Sequence, residues 1–267
     1  GRLALPPFSA SVPGARAQAE VAPIEVHRGD ESAPQVLVRA HLDLGRDRAT
    51  DSVFVGQQID YVVDVQLNDA ARQRLRRNPT FFPPDMPSVL AYDLPAPSPV
   101  VRNGLHCFET LTYRRALFPL FPGVASIPPA VLTYALPVST SFFSREESYE
   151  LRTDSVRFLA IDPPDAGRPS DYLGAVGRVT SSAHLAARMA RMGDPILLTL
   201  RLESPGNVKL LPRPTLSLPW ASIALGDERV TVDSAGARVR GAKEFDWLLT
   251  PHRAGRLVVP PIRYPYF

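Results

Sequence analysis

The chain has 267 residues, 45% of them hydrophobic and 21% charged. That suffices for two ordinary domains with packed cores and is unlike a disordered chain. The net charge is +3, and acids are interspersed among the arginines, so the runs Arg72–Arg77 and Arg114-Arg115 read as solvated surface and no nucleic-acid partner is expected. The single cysteine, Cys107, rules out an intrachain disulfide and a thiolate metal cluster. No apolar stretch reaches the ~18–20 residues of a transmembrane helix. Proline outnumbers glycine, 29 to 16, which favours short strands and loops over helices.

In chain order, the first element is a motif that recurs. Gly1, three residues and an aliphatic lead into Pro6-Pro7; the same pattern is Gly123 to Pro128-Pro129 and Gly255 to Pro260-Pro261. The copies lie roughly 120–130 residues apart, a domain-sized spacing rather than a solenoid period. Glycine supplies a turn with positive φ, an extended segment follows, and two prolines remove two ladder donors. Such a pair suits a sheet edge or a strand leaving one sheet for another. Residues 1–35 therefore read as the last strands of a preceding domain plus linker, with Gly1–Phe8 and Ala22–Val26 as a hairpin.

Further landmarks keep register. Ala40-His41-Leu42 matches Ala183-His184-Leu185. Gly56 is followed by Ile59, Tyr61, Val63 and Val65, and Gly193 by Ile196, Leu198, Leu200 and Leu202, at the same offsets. This period of two marks a half-buried strand. The distance between the two landmarks places an insertion near Leu44–Ala49 in the first copy. Pro119 precedes Gly123 as Pro251 precedes Gly255, with Tyr113 matching Phe245 and Leu117 matching Leu249. Asp69–Arg77 reads as a helical turn. Ala183–Met192 has helical propensity, but the register predicts a strand and a turn there. Strands are also expected over Leu105–Phe118, Val124–Leu136, Tyr149–Ile161, Arg229–Val239 and Glu244–Leu249, with turns at Ser204–Asn207 and Ala235-Gly236.

Together these predict an all-β protein of tandem β-sandwich domains, at residues 36–162 and 171–267, joined by a proline-rich linker at 163–170. The structural repeat residues are Gly1, Pro6, Pro7, Gly56, Pro119, Gly123, Pro128, Pro129, Gly193, Pro251, Gly255, Pro260 and Pro261.

No constellation for catalysis emerges. His27, His41, His106, His184 and His252 lack metal-ligand spacing. His41 and His184 recur at equivalent positions, which suits structure better than chemistry. His106 and Cys107 are neighbours, so on a strand they face opposite ways. No nucleophile elbow, phosphate loop or dinucleotide fingerprint is present. The expectation is a non-enzyme without cofactor or metal. Glu146-Glu147 and Asp227-Glu228 read as loop acids. Phe81-Phe82 and Phe142-Phe143 read as paired aromatics in connections, either partner anchors or caps on open sandwich ends.

The segment Arg115–Gly123 with Ile127-Pro128-Pro129 resembles the BatD (oxygen tolerance, or aerotolerance) family. Similar to it as well are Tyr172–Gly177, Gly193-Asp194-Pro195, Gly206-Asn207, Gly241–Phe245 and the ending Val259–Phe267. The resemblance spans essentially the whole chain. It implies an exported, membrane-anchored envelope protein with immunoglobulin-like domains outside the inner membrane. Its signal peptide and C-terminal anchor would lie outside this sequence. It also implies partners: von Willebrand factor A-domain proteins and a MoxR-type ATPase system. No catalytic residue carries over. On that reading the chain is a periplasmic interaction scaffold. The alternative is a carbohydrate- or polymer-binding module, for which Trp220 and Trp247 are few aromatics.

Overall fold

The computed structural model describes residues 2–3, 8–12, 15–19, 24–25, 33–44, 52–102, 108–139, 141 and 143–267. The described residues are almost entirely β. At the N-terminus, β1 (Arg2–Leu3), β2 (Phe8–Val12), β3 (Ala15–Ala19) and β4 (Ile24–Glu25) form two antiparallel ribbons, β1 with β4 and β2 with β3. The expected hairpin strands overlap β1 and β4. The inner ribbon β2–β3 was not part of that expectation.

The next strands are β5 (Val36–Asp43), β6 (Ser52–Phe54), β7 (Ile59–Asn68), β8 (Thr80–Phe82), β9 (Val89–Leu94), β10 (Val100–Arg102), β11 (Phe108–Pro119), β12 (Gly123–Ile127), β13 (Val131–Pro137), β14 (Glu146–Arg152) and β15 (Val156–Ile161). The main sheet runs β5–β7–β11, and β9 and β10 share the far edge of β11. Facing it are two small sheets, β12–β15–β6 and β14–β13–β8. Ile59, Tyr61, Val63 and Val65 of β7 are buried, as their alternation requires. With Leu117, Ile127, Leu132 and Phe158 they fill the space between the layers.

A helix, α1 (Asp69–Arg74), follows β7 directly. Asn68 caps it: its side-chain oxygen accepts from Ala71 N at 2.8 Å and from Gln35 N at 2.9 Å. The proline pair Pro128-Pro129 sits where the chain crosses between the two small sheets, since β12 pairs with β15 and β13 with β14 and β8. Across the crossing, Ala130 N donates to Thr153 Oγ1 at 2.9 Å and Thr153 N to Ala130 O at 3.0 Å. Residues without a donor thus stand where the ladder breaks anyway.

The C-terminal part carries β16 (Thr180–Leu185), β17 (Ile196–Ser204), β18 (Ala221–Asp233) and β19 (Arg240–Pro251) in one antiparallel sheet, ordered β16–β17–β19–β18. Only one of the two layers expected over 171–267 is built of strands. The other layer is residues 205–220 and 252–267, which hold a 3-10 turn (Val208–Leu210) and otherwise extended coil. Pro212, Pro214, Pro219, Pro260, Pro261 and Pro265 withdraw the donors a second ladder would need. The coil is held by single bonds instead. Trp220 Nε1 donates to Val258 O at 3.1 Å, Tyr264 Oη to Pro212 O at 2.9 Å, and Phe267 N to Ala175 O at 2.9 Å. Beneath it Phe245, Trp247, Leu249, Leu198, Leu200 and Leu202 form the core.

The matched landmarks occupy matched places. Ile59 pairs with Leu117 as Ile196 pairs with Leu249, and Val63 with Tyr113 as Leu200 with Phe245. His41 lies opposite Val62 as His184 lies opposite Thr199. Gly56 N donates to Pro119 O at 2.9 Å and Gly193 N to Pro251 O at 2.8 Å. Gly123 and Gly255 both have positive φ, 124° and 127°. Ala183–Met192 is the end of β16 and a turn, not a helix. The two parts touch: Val239 packs with Leu94, Ala116 and Phe118, its N–H donates to Gln58 Oε1 at 3.0 Å, and Tyr92 Oη donates to Asn207 Oδ1 at 3.0 Å.

Candidate interaction surface

Alternation splits β19 into two faces. Phe245, Trp247 and Leu249 point to the core; Ala242, Glu244 and Asp246 point outward. Register places Thr199 and Arg201 of β17 beside Asp246 and Glu244, and Arg229 of β18 on their other side. Asp246 is nearly covered. Its carboxylate accepts from Thr199 Oγ1 at 2.6 Å and from Arg229 Nη1 at 2.6 Å. The Arg229 bond, more than any other cause, holds its carboxyl below the usual range. Glu244 accepts from Arg201 Nη1 at 2.8 Å and Arg229 Nε at 3.1 Å, and its carboxyl is likewise depressed, first by Arg201. The ions on this face are bonded to one another, so the surface is ordered before any partner arrives.

Toward one end of this face lies a cleft of about 450 Å³. Ala242 forms its floor; Arg178, Arg201, Glu203, Asp233 and Arg240 form its walls. At Gly241 the backbone packs too closely for a side chain, since a Cβ there would lie 2.1 Å from Thr231 O and 2.9 Å from Val208 Cγ2. Asp233 accepts from Ala235 N and Arg240 Nε, each at 2.9 Å, and the backbone bond is the larger cause of its lowered pKa. The cleft is open and is bordered by charges of both signs, while most of its lining surface is apolar. Two other recesses are a junction hollow of about 610 Å³ beside Asp162, Asp165, Arg168 and Tyr172, and a shallow one of about 270 Å³ beside Arg77, Thr133 and Glu146. Among the described residues, no group of three or more His, Cys, Asp or Glu is placed to hold a metal ion.

The repeat residues from Gly56 to Gly255 sit at turns, bends, strand ends and the crossing described above, whereas Pro260 and Pro261 stand in coil; Gly1, Pro6 and Pro7 lie outside the described residues, as do His27, His106, Cys107 and Phe142. Several loop assignments need correction. Glu146 and Glu147 begin β14, and Asp227-Glu228 lie within β18 at a bulge after Leu225. Phe81-Phe82 belong to β8, where Phe81 stacks on Tyr113 at 5.1 Å and joins the core. Cross-strand pairing with β13 draws that short segment into a sheet. Arg229–Val239, read as a strand, is the end of β18 plus a turn; β18 begins at Ala221. That misplacement hid the partners of Asp246. Lys243 and Arg213 also escaped the sequence reading, since each acts through carbonyls and rings distant in the chain.

No family model, no curated protein and no solved structure matches this chain.

Proposed function

We propose that the chain is a non-enzymatic cell-envelope protein of the BatD kind. In this reading its parts are tandem immunoglobulin-like units, exported and anchored through segments outside this sequence, at the outer side of the inner membrane. It acts as a scaffold for von Willebrand factor A-domain partners and a MoxR-type ATPase system in stress and oxygen tolerance. The observation that carries the scaffold reading is the outer face of the β16–β19 sheet. Its charges are pre-paired, its strands are open to solvent, and it offers area to a protein rather than a closed pocket to a small substrate. An interface of ordinary size buries ~1,600 Å² in total, which such a face can supply.

The polymer-binding alternative is the weaker one. It needs exposed aromatic faces. Trp247 is buried, Trp220 is tied to Val258, Tyr134 and Tyr149 stack on each other at 5.3 Å, and the exposed rings Phe82, Phe121, Phe143 and Tyr266 are spread over separate parts of the chain.

A partner domain with a metal-dependent adhesion site takes a carboxylate from its ligand. Glu146 is engaged by Arg76 and Arg77. The Asp227 carboxylate has no ion pair among the described residues, so it is the better donor of the two. The test is calorimetric titration of a purified A-domain partner with and without Mg²⁺. Saturable binding is expected. Absence of binding in both conditions, with both proteins folded, counts against the scaffold and returns weight to polymer binding.

A further inference from the structure

We infer that the open edge of β16 is the docking edge of this protein, and that it receives an extended acidic peptide segment as an added strand. The inference rests on the scaffold reading and names the edge and the chemistry of its occupant. β16 ends the sheet and, among the described residues, pairs only with β17. Its residues, Thr180-Ser-Ser-Ala-His-Leu185, include no proline and no acid, and nearly all are exposed.

The other edges carry protections: β6, β8 and β10 are three residues long, β5 carries Arg39 and Asp43, and β9 carries Asp93. β18 is bulged, and Arg213 Nη2 occupies the bulge carbonyls of Gly226 and Asp227 at 3.2 and 3.1 Å. β14 carries Glu146, Glu147, Glu150 and Arg152. β12 runs into Pro128-Pro129. These are the usual protections against strand addition, and β16 has none of them.

The register says which groups are free. Ala186 N donates to Leu197 O at 2.9 Å. Antiparallel pairs alternate, so His184, Ser182 and Thr180 also turn their backbone groups toward β17. The N–H and C=O of Ser181, Ala183 and Leu185 therefore face away from the sheet, where an incoming strand would meet them.

Charge selects the occupant. From Tyr172 to Gly193 there is no Asp or Glu, and Arg178, Arg188 and Arg191 flank the strand. All three are exposed and without an ion pair among the described residues. An extended segment bearing glutamates or aspartates neutralises them. A second copy of this chain would instead bring three more arginines to the same edge.

The probe is a fluorescein-labelled peptide of about eight residues alternating valine or threonine with glutamate, a common strand length. Its anisotropy is titrated with the whole chain, beside a peptide of the same pattern with lysine for glutamate. The acidic peptide is expected to bind saturably and at least about tenfold more tightly than the basic one, with affinity falling as salt rises. Hydrogen exchange at Ser181, Ala183 and Leu185 should slow in the unaltered protein when the acidic peptide is added. Ala183→Pro removes an outward donor without removing a bond to β17, so it should weaken binding at least about tenfold while the melting curve is kept. Arg178→Glu, Arg188→Glu and Arg191→Glu together should do the same. Equal binding of the two peptides, unchanged exchange at the three amides, or a mass doubling through β16 would overturn the inference. If a folded Ala183→Pro protein still binds an A-domain partner at full affinity, this edge is wrong and the scaffold reading stands.

Discussion

The β5–β7–β11–β9 and β16–β17–β19–β18 sheets share one register and face different layers. In the first, the position opposite Val65 on β11 is Leu111, which packs against Leu132 and Leu136 of a strand-built layer. In the second, the matching position opposite Leu202 is Lys243. Its ammonium is buried and donates to Lys209 O at 3.1 Å and Leu211 O at 2.7 Å, with Glu228 Oε1 at 2.6 Å. Nearby, the Arg213 guanidinium lies 5.0 Å from the Phe245 ring and 5.3 Å from the Trp247 ring while donating to Asp246 O. A layer of strands satisfies its own carbonyls. A layer of coil does not, and here Lys243 reaches from the sheet to do it, while Arg213 of the coil donates to carbonyls of the bulged sheet. The same sheet thus accepts either an apolar residue or a cation at one inner position, according to what faces it.

The largest expected break in this comparison is at Gly241, whose counterpart in the first sheet is Glu109. Gly241→Ala drives a Cβ into the Thr231 carbonyl and should cost about 3–5 kcal/mol in denaturant unfolding, whereas Glu109→Ala loses one partly exposed ion pair and should cost about 0.5 kcal/mol. Similar losses at the two sites would mean that the strands do not approach as described. Next comes the exchange Lys243→Leu, which installs the residue of the first sheet. It leaves the buried Leu211 carbonyl and the half-buried Lys209 carbonyl without their donor, and a loss of about 2–3 kcal/mol is expected from thermal melts. A neutral result would remove the coil-layer argument.

Gly123→Val and Gly255→Val test the shared turns. Nothing lies within 4 Å of either position, so only the left-handed backbone is strained, at roughly 1–2 kcal/mol in each case. Equal melting curves for variant and parent at either glycine would sink the turn assignment there. The smallest effect is on acidification. Asp246 and Glu244 have lowered folded pKa values, so their stabilisation is complete above the ordinary carboxylate values of about 4 and is lost as pH falls through the depressed ones. Asp246→Asn should flatten that part of a stability-against-pH curve. An unchanged slope would show that the ladder of ions contributes nothing in solution.

How much of this was legible in the chain depends on the range of the interaction. Period two after Gly56 and Gly193 placed β7 and β17, because one buried face imposes that pattern locally. The proline pair at 128–129 marked a crossing, since a missing donor is a property of the residue itself. Pro260-Pro261 carry the same letters and stand in coil, so the motif set the loss of ladder donors without setting what the chain does afterwards. The ionic face was not legible. Thr199, Arg229 and Asp246 meet only through the pairing of β17, β19 and β18, and the bulge after Leu225 shifts one side of that pairing.

By itself, then, the sequence determined the all-β class, the alternation of β7 and β17, and the positive φ of Gly123 and Gly255. Each of these follows from side-chain alternation or from the backbone freedom of single residues. Only the tertiary structure decided which layer faces each sheet, that Lys243 is an interior donor, and that β16 is left open at an edge. These depend on which distant carbonyls and strands lack partners, a quantity that no local pattern contains.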